Sequence, residues 1–281
     1  MSKVKIFVVC HKEAEVPNDD VYTPIHVGKA KSDLNFGFIG DNTGDNISEK
    51  NSTYCEMTAH YWVWKNVRKE DAAYVGFCHY RRFFLQKFTE ENIDGFFADG
   101  TDVILSSPVY YGCRIQHKLL LYISADDYAI LHAVIKKICP DYLPTMNKYL
   151  MGVLDNPYNM LICRKETFDD YCTWMFSILD ECEKNIRLSP YSRARRVMGY
   201  IAEFLTPIYF MKNRCKIKMM DTVCYSDAGI LYRRLTMGMR FYAMINDFIV
   251  SCRHLSPYMI VHAHRYGLRD DGVEIYKNEN K

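Results

Sequence analysis

The feature that most constrains this chain is the run Ala72-Ala73-Tyr74-Val75-Gly76-Phe77-Cys78, which is apolar throughout and then turns abruptly into His79-Tyr80-Arg81-Arg82. A strand with no polar position has no solvent face, so it belongs inside a sheet covered on both sides, as parallel sheets are. Two other runs read as strands: residues 4–9, ending at Cys10-His11-Lys12, and residues 102–106. Between the first two strands a helix is expected. Tyr54, Met57, Tyr61 and Trp64 fall on one of its faces, Thr53 and Glu56 have capping-box spacing, and the charged turn Arg68-Lys69-Glu70-Asp71 ends it. Strands alternating with helices predict an open α/β sheet.

Beyond about residue 125 the pattern becomes mostly helical. Residues 128–139, 166–186 and 195–212 carry stripes of period 3.6, with Pro207 placed to start a new turn or kink the last of them. Residues 159–162 and 216–220 read as short strands, and a last helix is expected over 230–253. No repeat or linker interrupts the chain. The reading is a single catalytic-size domain over 1–225 with a helical C-terminal extension, 226–281, packed on it.

Composition closes off several function classes. Lys plus Arg number 36 against 34 Asp plus Glu, a net charge of +2, which gives no electrostatic case for a nucleic-acid partner. The 11 cysteines form no C-x-x-C pair and lie mostly in apolar runs, so they read as buried hydrophobes in a reducing compartment and not as a disulfide or zinc framework. The apolar run at the N-terminus is too short for a signal peptide, and no stretch approaches the roughly 20 apolar residues of a membrane span, which places the chain in the cytoplasm.

Ligands of open α/β sheets collect at the C-terminal ends of the strands. His11-Lys12 and His79-Tyr80-Arg81-Arg82 stand at two such ends. Adjacent arginines offer planar forks of donors suited to a diphosphate; the alternative is an exposed basic turn. Asp45-Asn46-Ile47-Ser48 with Asn51 could hold a nucleotide at a helix N-terminus or simply cap that helix. Asn159 could face a sugar hydroxyl or only make a turn. Arg187, Arg193, Arg195 and Arg196 lie within ten residues with no acid among them, so they are either solvated charge or a contact with an anionic lipid-linked acceptor or membrane surface. Glu203, on an apolar helix, is a candidate general base or a partner for one of those arginines. His262 and His264, at i and i+2, could bind a metal or lie on a surface strand. The chain has no P-loop, no G-x-S-x-G, no H-E-x-x-H, no G-x-G-x-x-G and no Asp-x-Asp.

Taken together, several segments resemble a bacterial family, of the domain-of-unknown-function type, of capsular and exopolysaccharide biosynthesis glycosyltransferases. They are Cys10-His11-Lys12, Asp45-Asn46-Ile47-Ser48 with Asn51, Tyr54-Cys55-Glu56, Tyr61-Trp62-Val63-Trp64-Lys65-Asn66, Val75 through Phe84, Asn159-Met160, Phe168 with Tyr171-Cys172 and Trp174, and Arg196 through Gly199-Tyr200 to Ala202-Glu203. The resemblance spans roughly residues 4–225 and implies a single-domain, GT-A-like (Rossmann-like) open mixed sheet flanked by helices. It implies transfer of a hexose, galactose or galactofuranose by family association, from a UDP-sugar to a polysaccharide or lipid-linked oligosaccharide at the inner membrane face. The metal-binding Asp-x-Asp of that fold class usually follows a strand placed like 72–78; here Arg81 and Arg82 stand instead, so no divalent metal is expected. His11, Lys12, Asp45, Asn46, Asn51, His79 and Asn159 would bind the donor, with Arg196 and, closing over the diphosphate, His262 and His264 as further candidates and Glu203 as general base. The competing reading is a non-catalytic sugar- or nucleotide-binding subunit. Relatives read Glu-Arg-Leu-Leu where this chain has Glu203-Phe204-Leu205-Thr206.

Overall fold

In the computed structural model, which describes residues 2–226, 229–253 and 255, the chain builds a mixed central sheet with helices on both faces. The strands are β1 (Ser2–Cys10), β2 (Tyr22–His26), β3 (Ile39–Gly40), β4 (Ala72–His79), β5 (Arg82–Phe84), β6 (Val103–Ser106), β7 (Val109–Tyr110), β8 (Leu154–Asp155), β9 (Leu161–Arg164), β10 (Ile217–Met220), β11 (Thr222–Ser226) and β12 (Gly229–Arg233). The helices are α1 (Asn51–Tyr54), α2 (Met57–Asn66), α3 (Ile93–Phe97), α4 (Ile115–Leu119), α5 (Ala125–Ile138), α6 (Leu143–Met151), α7 (Lys165–Asn185), α8 (Ser192–Arg195), α9 (Val197–Lys212) and α10 (Met237–Cys252). The main strand order is β10-β6-β9-β4-β1-β2-β3, with β5, β11 and β12 hung from β4 as an antiparallel flap. All pairs along the main path are parallel except those of β9, which runs antiparallel to both β4 and β6.

The apolar strands sit where two-sided burial demands. In β1 the side chains alternate: Phe7 and Val9 enter the core shared with α2, α7 and α9, while Val4, Ile6, Val8 and Cys10 enter the core beneath α3. Val75 and Phe77 of β4 join the first core, and Tyr74 and Cys78 the second. All eleven cysteines are free, and seven of them are buried.

Several expectations need correction. The helix expected from Thr53 is two helices, α1 and α2, broken at Cys55, whose φ of 53° and ψ of −132° leave the helical region; neither helix has a side-chain cap, so Thr53 and Glu56 form no capping box. Strand β2 lies in a stretch that reads as irregular, because Pro24 and its polar flanks mask a five-residue strand parallel to β1. The stripe over 195–212 is interrupted at Arg196, which separates α8 from α9, and α9 then runs through Pro207 without starting a new element. The expected helix over 230–253 begins only at Met237; residues 229–233 form β12, paired to β11 through the register Thr222↔Arg233. The 225/226 boundary therefore falls inside β11.

Gly76 shows how tightly β4 is held. A Cβ there would lie 2.7 Å from Cγ1 of Ile162 and 3.2 Å from the carbonyl oxygen of Leu161 on β9. Gly76→Ala is expected to lower unfolding stability by about 2 kcal/mol, since neither backbone nor a β-branched neighbour can retreat cheaply. Urea denaturation of the two proteins checks this, and an unchanged midpoint would contradict it.

Candidate functional site

A cleft of about 760 Å³ opens at the C-terminal ends of β1 and β4, and its far wall comes from α4 and the α8–α9 junction. The position follows from the sheet: parallel β1 and β4 are in register to Val9↔His79, and the Tyr80 N–H donates to the Val9 carbonyl at 3.1 Å, so both strands deliver their polar ends to one place. His11, His79, Tyr80, Arg81 and Arg82 line this side. Asn51, Cys55 and Glu56 line a second side, and Arg195, Arg196, Tyr200 and Glu203 a third, with Tyr111, Lys118, Tyr122 and Tyr158 between.

The cations act on one another. His11 has its pKa lowered, first by burial and then by the positive charges of Arg196, Lys12 and Arg81. His79 is lowered by burial, against the pull of Glu56, and further by Arg82 and Arg196. Both imidazoles are thus held towards neutrality first by burial and then by the fixed positive charges around them, and an anion would relieve the second of these. Since a carbonyl only accepts, the 2.6 Å contact of His79 Nε2 with the Tyr158 carbonyl oxygen puts the ring proton on Nε2. The Arg82 guanidinium lies 4.5 Å from the Tyr158 ring centre and that of Arg81 4.9 Å from the Tyr80 ring, so both forks are braced on aromatic faces.

The break at Cys55 builds the second side. Its left-handed φ costs about 1–3 kcal/mol and is held by its surroundings. Arg196 Nε donates to Cys55 Sγ at 3.1 Å, and Gly199 packs so closely that a Cβ there would lie 2.9 Å from that sulfur. The break turns Glu56 into the cleft, where Asn159 Nδ2 donates to its Oε1 at 2.8 Å. Asn159 is itself buried, at φ 51°, and its Oδ1 accepts from Thr206 Oγ1 at 3.0 Å. Thr206, in the segment that departs from Glu-Arg-Leu-Leu, thus fixes Asn159, which fixes Glu56.

The deepest group is charged. Lys118 on α4 is only 4% exposed and contacts Asp155 of β8, 1% exposed, and Glu203 of α9, 17% exposed. Lys118 Nζ donates to Glu203 Oε1 at 3.2 Å and also to the Asp155 carboxylate, which accepts from the Tyr149 hydroxyl at 2.7 Å. Burial pushes the Glu203 carboxyl up to about 7; Lys118 opposes this, while Asp155 and Glu56 add to it. Burial works against the charge of Lys118, but Glu203 and Asp155 outweigh it and raise its pKa. Glu203 is therefore a carboxylate poised to take a proton near neutral pH, facing the cleft with a cation behind it.

Of the residues singled out from the sequence, His11, Asn51, His79, Arg81, Arg82, Arg196 and Glu203 line the cleft together. Lys12 lies beside it, 5.6 Å from the Tyr80 ring centre. Asp45, Asn46 and Asn159 are not in the lining. Asp45 accepts from the Tyr61 hydroxyl at 3.2 Å and exchanges bonds with Asn66, while the Asn46 carboxamide oxygen accepts from the Ser48 N–H at 3.2 Å; both are local ties at the ends of α2 and its preceding turn. Asn51 Nδ2 donates to the Cys55 carbonyl at 2.7 Å and Thr58 Oγ1 at 3.1 Å. His262 and His264 lie outside the described residues. Sequence reasoning missed Lys118 and Asp155 altogether, and saw Glu56 only as a cap. Lys118 sits in the mixed run Arg114-Ile115-Gln116-His117-Lys118, where the signals of burial are Ile115 and the apolar stretch Leu119-Leu120-Leu121-Tyr122-Ile123 that follows.

Comparison with known proteins adds an independent line. A solved structure, that of the WbbM bifunctional glycosyltransferase in its apo form, is similar to this chain at 34% identity and a TM-score of 0.70; the match covers 78% of this chain and 45% of that one. The chain thus spans less than half the length of that relative, whose mixed α/β fold it shares. No curated protein matches. A family model described as a domain of unknown function matches residues 5–214, the stretch that holds every cleft residue named above, and the chain therefore belongs to the DUF4422 family.

Proposed function

We propose that the chain is a glycosyltransferase that moves a hexose from a UDP-sugar to a saccharide acceptor, polysaccharide or lipid-linked, without a divalent metal. The observation that carries the reading is the convergence of His11, His79, Arg81, Arg82 and Arg196 in the cleft that also holds Glu203; the likeness to a glycosyltransferase supports it. Donors fixed around the diphosphate act where charge develops. As the bond between the anomeric carbon and the phosphate oxygen breaks, negative charge grows on the leaving UDP, and Arg81, Arg82 and Arg196 neutralise it. The acceptor hydroxyl oxygen forms the new glycosidic bond and its proton passes to Glu203, which presumes inversion at the anomeric carbon. Lys118 and Asp155 hold Glu203 in place, and Asn159 acts through Glu56 and not on the sugar. Galactose, in pyranose or furanose form, is the donor sugar to test first.

Incubation with UDP-sugars and saccharide acceptors should release UDP at a rate unaffected by EDTA. Failure to release UDP from any donor, even with acceptor present, would overturn the enzyme reading and favour a binding subunit, while loss of rate in EDTA would overturn the metal-free one. Arg81→Ala and Arg82→Ala should each lower kcat by about 10²–10³-fold with folding intact. The proton acceptor must be ionised, so kcat should rise with pH through about 7, where Glu203 titrates, and level off above it. Glu203→Gln should lose about 10²–10⁴-fold and, in its residual rate, that limb of the profile.

A further inference from the structure

Two carboxylates line the cleft, Glu56 and Glu203, and taking a proton from the acceptor needs only one of them. Glu56 stands at the N-cap of α2 yet caps nothing, for that cap has no side-chain hydrogen bond. Among the described residues its carboxylate takes a single hydrogen bond, from Asn159 Nδ2 to Oε1 at 2.8 Å, and enters no ion pair, although His79, Arg82 and Arg196 line the same cleft. A half-buried carboxylate that pairs with none of these cations is being held apart from them. The hold comes from two residues at left-handed φ, Cys55 at 53° just before it and Asn159 at 51° against it, with Thr206 fixing Asn159 in turn. Backbone of that kind persists only where the surroundings over-determine it, and it gathers at ligand sites. Glu56 also acts on both ends of the cleft. Burial lowers the pKa of His79 and Glu56 pulls it back up; burial raises that of Glu203 against Lys118, and Asp155 and Glu56 raise it further. The side chain therefore stands between the cations and the general base.

We propose that the second carboxylate oxygen of Glu56 accepts a hydrogen bond from a ring hydroxyl of the donor hexose and so selects the sugar. The inference rests on reading the cleft as a UDP-sugar site and assigns the residue that reads the sugar. With the diphosphate on the cations and the acceptor hydroxyl at Glu203, the transferred ring lies between them, which is where Glu56 stands. A carboxylate repels phosphate, so the neutral sugar is the portion of the donor that suits it. Its oxygens only accept, and a bond from a hydroxyl to a charged oxygen is about twice as strong as one between neutral groups. A sugar that lacks the hydroxyl, or carries it on the other face of the ring, would leave a desolvated carboxylate unpaired, which costs more than the bond itself contributes. Discrimination of that kind follows from a polar group built into a site, and an apolar wall does not supply it.

Isothermal titration of the full chain without acceptor tests it, because binding is then read apart from turnover. The ligands are UDP, UDP-galactose in both ring forms, UDP-glucose and UDP-N-acetylglucosamine, whose pyranose members differ at C4 and at C2. The wild-type chain should bind at least one of these UDP-sugars about tenfold more tightly than UDP. Glu56→Ala should remove most of that margin without weakening UDP itself. Glu56→Gln, which can keep the bond from Asn159 but carries no charge, should reduce the margin by about threefold or more. Circular-dichroism melts confirm that each variant folds. A margin absent from the wild type for all of these sugars, or kept by both folded variants, overturns the assignment. Variants that keep the margin but lose UDP release in turnover would make Glu56 a reacting group, against this proposal and with the transferase reading intact. A margin that depends on Glu56, in a chain that never releases UDP, would support the proposal and sink the transferase reading.

Discussion

The parallel pairing of β1 with β4 is the constraint on which the rest depends. It runs in register from Ser2↔Ala72 to Val9↔His79, and both strands are buried on both faces, so neither can slip by one residue without exchanging its two cores. Because the strands are parallel, their C-terminal ends lie side by side, and the polar segments that follow must share one space. His11 and the His79–Arg82 segment meet for that reason and no other. They are poor core residues, and the sheet has put them where a core residue would be useless.

The opposing wall is assembled by different means. Glu203 arrives on a helix of apolar neighbours, Lys118 on a short helix from 85 residues earlier, and Asp155 on a two-residue strand. Taking three charges out of water is costly, and a buried cluster of this kind is weak evidence for stability. What it supplies is a carboxylate whose proton affinity lies close to neutrality, on the wall opposite a cluster of cations. The strained Cys55 belongs to the same economy: backbone strain is accepted there, and in return Glu56 faces the cleft, with Asn159 and Thr206 fixing it from behind.

The strands at 4–9, 72–78 and 102–106, and the helices at 128–139 and 166–186, were legible in the sequence because each is long, periodic or uniformly apolar, so local pattern and burial agree. The cationic side of the cleft was legible for a related reason, since Arg81-Arg82 directly after a buried strand contradicts its surroundings. Where local pattern and tertiary context part company, the sequence misleads. Cys55 looks like an ordinary helical position, and only the close approach of Gly199 and the bond from Arg196 show why the helix breaks there. Lys118 looks like a surface lysine, since nothing within ten residues announces Asp155 or Glu203. Asp45 and Asn46 have the composition of a ligand loop or a helix cap but spend their bonds on Tyr61, Asn66 and Ser48, ties that cap neither α1 nor α2.

At the centre of the account is the claim that the cations gathered by β1, β4 and the α8–α9 junction hold a diphosphate. Isothermal titration of the chain with UDP and with uridine measures this directly, because the two ligands share base and ribose and differ in the charged group alone. UDP should bind at least about tenfold more tightly than uridine, consistent with charge-assisted bonds from arginine forks, and Arg81→Ala with Arg82→Ala should remove most of that margin while leaving uridine binding unchanged. Equal affinity of the wild-type chain for UDP and uridine would contradict it.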